Sequence, residues 1–519
     1  MMKKKMNMLK RNTVIALSAS MALSGCLISV SAEEAATERE APPHQKKARV
    51  IISQDGEVDD MNSLIHTLLY ANDIDIAGIV QSSSQFHYSG GEDGEPYRWP
   101  GTDWMEEFLS AYENVYPNLI IHDPDYPTAD ELRAVTKVGN VTGLGEMDEV
   151  TEGSELIKDC ILDDDERKLY IAVGGGANTV GRALKSIEET YKDTDDWSAV
   201  YDKVCGKVVI HAWGTQDNVY EDYISVNWPD IPVYNVSGSS SPYGYGNAVA
   251  DIPAADKKKM EGSWMYENIE TGHGALLDKY VTWGDGTYLE GEEEGSQFGT
   301  NEDLVGTLNW WGGKWMGIAY NRYDFLSEGD SPDWIVTIPT GLRNLEDESY
   351  GGWGGRYVPA SYEGRKDALY FDQAPEGSTM CYWIGAIQDD FAARADWCIT
   401  DKYEDANHQP KVSVTEGTDL TASAGETVLL NAVAEDPDGD EVSFKWWQYA
   451  EADTYEEKTG EDGTLSTVEI TTPEDSTAQA TIVIPEDAKA EDTIHIILEA
   501  TDNGEHTLKA YQRVIITIA

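Results

Sequence analysis

Arg49-Val50-Ile51-Ile52-Ser53 runs through Gln54-Asp55-Gly56-Glu57 into Val58-Asp59-Asp60, and this stretch sets the class of fold. Arg49 to Ser53 is a short β-rich run. The segment after it places Met61, Leu64, Ile65, Leu68 and Leu69 on one helical face, and Ile74 to Val80 follows as a second strand. Strand, helix, strand in that order is a parallel βαβ unit, whose sheet must be covered on both faces. The pattern recurs. Lys168 to Val173 runs through Gly174-Gly175-Gly176 into a helix with Val180, Ala183, Leu184 and Ile187 on one face, and Val208 to His211 opens a third unit. Between Tyr234 and Trp334 the periodicity fades into Gly- and aromatic-rich sequence, read as long loops and short helices over the sheet. The expectation for residues 48–405 is an α/β domain with a mostly parallel sheet flanked by helices.

Past Asp405 the texture changes to alternating short strands: Thr427 to Val433, Val442 to Trp447, Ala478 to Ile484 and Thr493 to Glu499. Turn residues at near-regular intervals between them predict an all-β, immunoglobulin-like sandwich over residues 410–519. Asp436-Pro437-Asp438-Gly439-Asp440 reads first as a tight acidic turn, with the alternating carboxylates of a Ca²⁺ loop as the other reading.

The chain has 519 residues and a formal charge of −57, so nucleic acid and anionic membrane surfaces are excluded as partners by repulsion. With 16 Trp and 28 Tyr it carries a core that no disordered chain would need. Lys3, Lys4, Lys5, Lys10 and Arg11 precede an apolar run from Val14 to Val30, the pattern of a bacterial export signal over residues 1–32. Two ends fit it. Val30-Ser31-Ala32 suits ordinary cleavage and soluble secretion, whereas Leu23-Ser24-Gly25-Cys26 suits a lipoprotein box that leaves a lipid anchor on Cys26 at the outer surface. Residues 33–47, charged and holding Pro42-Pro43, read as a tether. Cys381 and Cys398 either form a bridge or stay buried thiols.

Asp55, Asp59 and Asp60 stand at the carboxyl end of the first strand and the start of the first helix, where open α/β sheets bind ligands. One acid there is ordinary capping, but three crowded like charges repel unless a cation or proton lies among them. A hard divalent ion answers that repulsion. Gly174-Gly175-Gly176 before a helix lacks the Gly-Lys-Ser/Thr element of a nucleotide-binding loop, so a phosphate cradle is rejected.

Around these residues the sequence resembles the nucleoside hydrolase superfamily, whose first strand ends in DxDPGxDD. Asp55, Gly56, Asp59 and Asp60 match its carboxylate cluster, while Ser53 replaces its first Asp and Gly56-Glu57 replaces Pro-Gly. Glu328-Gly329-Asp330-Ser331-Pro332 and Ser349-Tyr350-Gly351-Gly352-Trp353-Gly354-Gly355-Arg356-Tyr357 resemble, more closely, the nucleoside hydrolase-like "cellulose-binding" proteins of polysaccharide-degrading bacteria, which append a β-sandwich. The resemblance implies Ca²⁺ held by Asp55, Asp60, the Ala177 carbonyl and Asp330, with Asp55 also taking a proton from water. It implies that Asp59, Gln85, Gln216 and Asn218 hold sugar hydroxyls. Among the aromatics, Trp213 and Trp353 are candidates to stack on a sugar face. Nucleosidases have a His immediately before the late Asp to protonate a departing purine; here that position is Gly329, and His273 between Gly272 and Gly274 is the candidate acid in its place. The function expected is a secreted, calcium-dependent glycoside hydrolase cleaving an N- or O-furanoside. The rival is a non-catalytic protein that binds a cellulose-like polysaccharide.

Overall fold

The computed structural model describes residues 47–90, 94–212, 216–236, 243, 252–282, 328–329, 331–359, 367–372, 379–455, 467–473 and 476–519. The export segment, Trp213 and Asp330 lie outside the described residues.

One eight-stranded sheet organises the first part of the chain. Its strands are β1 (Arg49–Gln54), β2 (Asp75–Gln81), β3 (Thr136–Val138), β4 (Leu169–Val173), β5 (Val208–Ala212), β6 (Val233–Asn235), β7 (Tyr357–Pro359) and β8 (Leu369–Asp372), in the order β3-β2-β1-β4-β5-β6-β8-β7. All neighbours are parallel except β7, which runs antiparallel to β8 at the edge. β1 is buried on both faces, as a central parallel strand must be. Val50 and Ile52 join one core layer, and Ile51 joins the other. Helices α1 (Val58–Leu69) and α2 (Asp103–His122) supply apolar residues to the first layer, α4 (Glu152–Leu162) and α5 (Asn178–Tyr191) to the second. The short α3 (Ala129–Ala134) leads into β3.

The three βα units expected from the pattern are present. The region read as loops between Tyr234 and Trp334 is corrected at its start, because Val233–Asn235 is a strand, and β7 and β8 extend the sheet further. Three- and four-residue strands are too short to show a period, which is why the sequence hid them.

Eight strands from Lys411 to Ile518 form two four-stranded sheets. One holds Asp419–Ala422, Lys509–Ile518, Thr493–Thr501 and Ser443–Gln448; the other holds Glu469–Thr471, Gln479–Val483, Thr427–Glu435 and Lys411–Val414. Asp436 to Asp440 form a hydrogen-bonded turn between strands. Asp436 Oδ1 accepts the N–H groups of Asp438 and Asp440 at 2.9 and 3.0 Å, and Asp438 accepts from His408. Cys381 and Cys398 are separate buried thiols. Among the described residues no helix is long and apolar enough to cross a membrane.

The sandwich docks on the α/β part through Arg513, which is fully buried. Its guanidinium donates to the carbonyls of Leu342 (2.6 Å), Tyr350 (2.7 Å) and Gly351 (2.9 Å). Burial lowers its pKa to about 10, so it stays charged at neutral pH. Tyr449, Ile497 and Tyr511 share one apolar cluster with Trp353 and Trp383. Expressed alone from Lys411, the sandwich is expected to melt cooperatively, since Leu430, Ile482, Ile496, Leu498 and Ile516 close a core of their own. Its midpoint by circular dichroism should fall below that of the whole chain, because Tyr449, Ile497 and Tyr511 lose their cover.

Candidate active site

β1 ends at Gln54 and α1 begins at Val58, leaving Asp55, Gly56 and Glu57 as the turn between them. Asp60 ties that turn down. Its Oδ2 accepts the backbone N–H groups of Asp55 and Gly56 at 3.0 Å each and of Glu57 at 3.3 Å, and its Oδ1 accepts the Ser331 hydroxyl. A carboxylate in this position also meets the positive end of the α1 dipole. Gly56 has φ +83°, and a Cβ there would lie 3.0 Å from Pro100 and 3.1 Å from the Trp104 indole nitrogen. No other residue fits both the conformation and the space.

Asp55 Oδ1 accepts the Glu57 N–H at 3.0 Å. Its other oxygen, Oδ2, is buried and accepts no hydrogen bond, on a residue only 1% exposed. A buried carboxylate oxygen in that state is expensive to leave, so it marks a place where something else is meant to sit. Next to it His87, on the loop after β2, brings Nδ1 to 3.9 Å from Asp55 Oδ2 and 3.6 Å from Glu57 Oε2. Asp55, Glu57 and His87 thus present one ligand atom each, all within 4.8 Å of one another. Sequence reading missed both Glu57 and His87, though the rule that ligands collect at the carboxyl ends of parallel strands also covers the loop after β2.

Gly174, Gly175 and Gly176 carry β4 into α5 against this turn. Gly174 N–H donates to the Ser53 carbonyl at 2.9 Å, and Gly175, at φ +99°, leaves room that a Cβ would take at 3.0 Å from Asp55. Gly176 N–H donates to the Ser83 carbonyl at 3.1 Å. Asp217 lies against Gly176, and burial pushes its pKa up to about 6 against the pull of the Val219, Ala177 and Asn178 amides. Asn178 Oδ1 and Gln216 Oε1 are also buried without a hydrogen-bond partner.

A distant segment closes the cluster because α1 holds it. Ser63 Oγ donates to the Ser331 carbonyl at 2.7 Å and accepts from Trp334 Nε1 at 3.0 Å, while the fully buried pair His66 and Glu328 meets at 2.8 Å. The short 3₁₀ helix Pro332–Thr337 follows, with Asp333 buried beneath β4 and its carboxyl pushed well above the usual range by burial. Gly329 has φ +46°, and the Asp59 carboxylate occupies the place a side chain would need.

A family model described as "Cellulose-binding Sde182, nucleoside hydrolase-like domain" matches residues 49–357. The chain belongs to this family. The companion model of the Sde182 family, "Cellulose-binding protein Sde0182, C-terminal domain", matches residues 427–518. A solved structure titled as a nucleoside hydrolase-related hypothetical protein from Saccharophagus degradans associated with carbohydrate metabolism is 27% identical. It covers 91% of this chain and 100% of its own, with a TM-score of 0.68. Three N-terminal domains of the bacteriophage RB49 outer capsid protein Hoc align at 16% identity over 21% of this chain and 30% of theirs. Their TM-score is 0.14. Among curated proteins none matches.

Within this Sde182-family fold the structure gathers Asp55, Asp59, Asp60 and Gln216 around the β1–α1 turn and the glycine loop, and corrects several other expectations. Gln85 is exposed and enters only through its backbone N–H, which donates to the Gln216 carbonyl at 3.0 Å. Asn218 is exposed too, and its buried neighbour Asp217 faces the cluster instead. Trp353 is 2% exposed within the core beneath the sandwich and offers no face to a sugar. His273 is elsewhere. Its Nδ1 bonds the Ile269 carbonyl at 3.0 Å and its Nε2 lies 3.3 Å from Asp396. The adjacent Gly274 abuts Val115, about 16 Å along α2 from the Trp104 that flanks Gly56.

Of the calcium ligands that the resemblance implies, Asp60 and the Ala177 carbonyl are engaged in hydrogen bonds, and Asp330 lies outside the described residues. Both Asp60 oxygens already accept hydrogen bonds from the turn and Ser331. The Ala177 carbonyl accepts the Gly181 N–H at 2.8 Å as the first bond of α5. Ser331, given no site role from the sequence, donates its hydroxyl to Asp60.

Proposed function

We propose that this chain hydrolyses furanosides outside the cytoplasm, with Asp55 as the base that activates water. The observation that carries the reading is Asp55 Oδ2, buried without a hydrogen-bond partner at the carboxyl end of the central parallel strand. Water attacks the anomeric carbon, Asp55 accepts its proton, and the bond to the aglycone breaks with its electron pair leaving on the aglycone. Asp59 and Gln216 bind sugar hydroxyls, and the surrounding carboxylates favour the positive charge of an oxocarbenium-like transition state. No step runs through calcium. The basic, then apolar, leader supports export, with or without a lipid on Cys26.

Gly329 fixes the expected preference. With Gly329 where the nucleosidases carry their histidine acid, a purine is a poor leaving group, and the loss of that acid costs roughly two to four powers of ten. A nitrophenyl ribofuranoside should therefore be cleaved about a hundredfold or more faster than inosine in side-by-side kcat/KM measurements. His273→Ala should leave both rates within about twofold, because its ring is bonded to Ile269 and Asp396 far from the cluster. Inosine cleaved as fast as the nitrophenyl compound would point to an acid in the cluster itself and to nucleosides as substrates.

A second reading, capture of a cellulose-like polysaccharide without turnover, is favoured by the family's description as cellulose-binding. Retention on cellulose by a chain that cleaves none of a panel of furanosides would decide for it.

A further inference from the structure

We infer that Asp55, Glu57 and His87 form a site for a first-row divalent cation of the Zn²⁺ type. Asp55 and Glu57 come from the β1–α1 turn and His87 from the loop after β2, and these two strands are hydrogen-bonded neighbours that fix the three residues relative to one another. The separations of 3.6 Å from His87 Nδ1 to Glu57 Oε2 and 3.9 Å to Asp55 Oδ2 are too long for hydrogen bonds. They suit ligands around a shared ion: bonds of about 2.1 Å in a tetrahedron put ligand atoms roughly 3.4 Å apart.

Asp55 Oδ2 supplies the second, independent sign, since it is buried, accepts no hydrogen bond and faces this gap. The side chains of Asp55 and His87 are 1% exposed and that of Glu57 is 8% exposed, so water screens their charges poorly. Arg98 approaches Glu57 through the other carboxylate oxygen, Oε1, at 3.6 Å.

The donor set chooses the ion. Calcium takes six to eight oxygen ligands, whereas one imidazole nitrogen with two carboxylate oxygens is a set that zinc and its neighbours accept. Three protein ligands leave a fourth position open, the arrangement of sites that hold a water or a substrate rather than merely a fold. The site lies in the proposed active site but is read by binding, not turnover.

The test strips the full chain with a chelator and titrates it by calorimetry with Zn²⁺ and, separately, with Ca²⁺. One Zn²⁺ per chain is expected, at least about a hundredfold tighter than Ca²⁺, and His87→Ala should weaken Zn²⁺ by about a hundredfold or more. Because a buried His87→Ala change can disturb folding, crystals of the unaltered protein soaked in Zn²⁺ and measured at the zinc edge place the ion independently. A peak bonded to Asp55, Glu57 and His87 is the expected result. No bound zinc, a preference for calcium, or a peak elsewhere would overturn the assignment. A chain that holds zinc there yet cleaves no furanoside sinks the hydrolase reading and leaves the metal site standing; turnover without zinc does the reverse.

Discussion

Asp55→Asn is expected to lower kcat/KM for a nitrophenyl ribofuranoside by about three powers of ten while the protein keeps its fold. The amide is close to the carboxylate in size, which matters because Asp55 packs closely on Gly175, where even a Cβ would lie 3.0 Å from it. Asn can keep its carbonyl oxygen where Oδ1 accepts the Glu57 N–H, so the β1–α1 turn retains its bond. What disappears is a proton acceptor and one negative charge in a buried cluster. Removing a charge from crowded carboxylates relieves repulsion, so the melting temperature should hold or rise. An unchanged rate with an unchanged melt would remove Asp55 from catalysis and move the reading to polysaccharide capture.

Arg394→Met should cost about 3–5 kcal/mol of stability, the largest loss expected from any single change here. Arg394 lies on the helix Ile384–Trp397 and is nearly fully buried. Its guanidinium meets Asp390 at 2.8 Å and Asp73 at 2.5 Å, and donates to the Leu69 carbonyl at 2.8 Å and Asn72 Oδ1 at 2.7 Å. It also sits 3.9 Å from the centre of the Tyr70 ring. Methionine fills much of the volume but leaves Asp390 and the end of α1 without their cation, so the penalty is that of unpaired buried charge rather than of a cavity. Thermal melts of the two proteins measure it. A loss below about 1 kcal/mol would show that the buried aspartates do not depend on this cation.

Much of the architecture was legible because it is local. The run Arg49 to Asp60 carries its strand, its turn glycine and its first helical acids within a dozen positions, and the same sequence of signals recurs at Lys168 and Val208. Four strands of the sandwich were legible for the same reason, since alternation over five to nine residues is visible without a partner. β3, β6, β7 and β8 were not, because a strand of three or four residues owes its existence to the neighbour it pairs with rather than to its own pattern.

The sequence by itself determined that a parallel βαβ sheet precedes an all-β sandwich, and that Asp55, Asp59 and Asp60 stand at a strand's carboxyl end. Periodicity and turn chemistry are properties of neighbouring residues, so they survive without the fold. Only the tertiary structure decided what each acid does. Asp60 became the clamp of the turn because the backbone N–H groups of Asp55, Gly56 and Glu57 converge on one of its oxygens. His87 joined Asp55 and Glu57 because β1 and β2 lie side by side, and Ser331 reached Asp60 because Ser63 and Trp334 hold its segment against α1. His273 and Trp353, plausible by their glycine surroundings, were drawn instead into bonds and packing on other parts of the molecule. Hydrogen-bond direction and burial are fixed by contacts between segments far apart in the chain, and no spacing along the sequence encodes them.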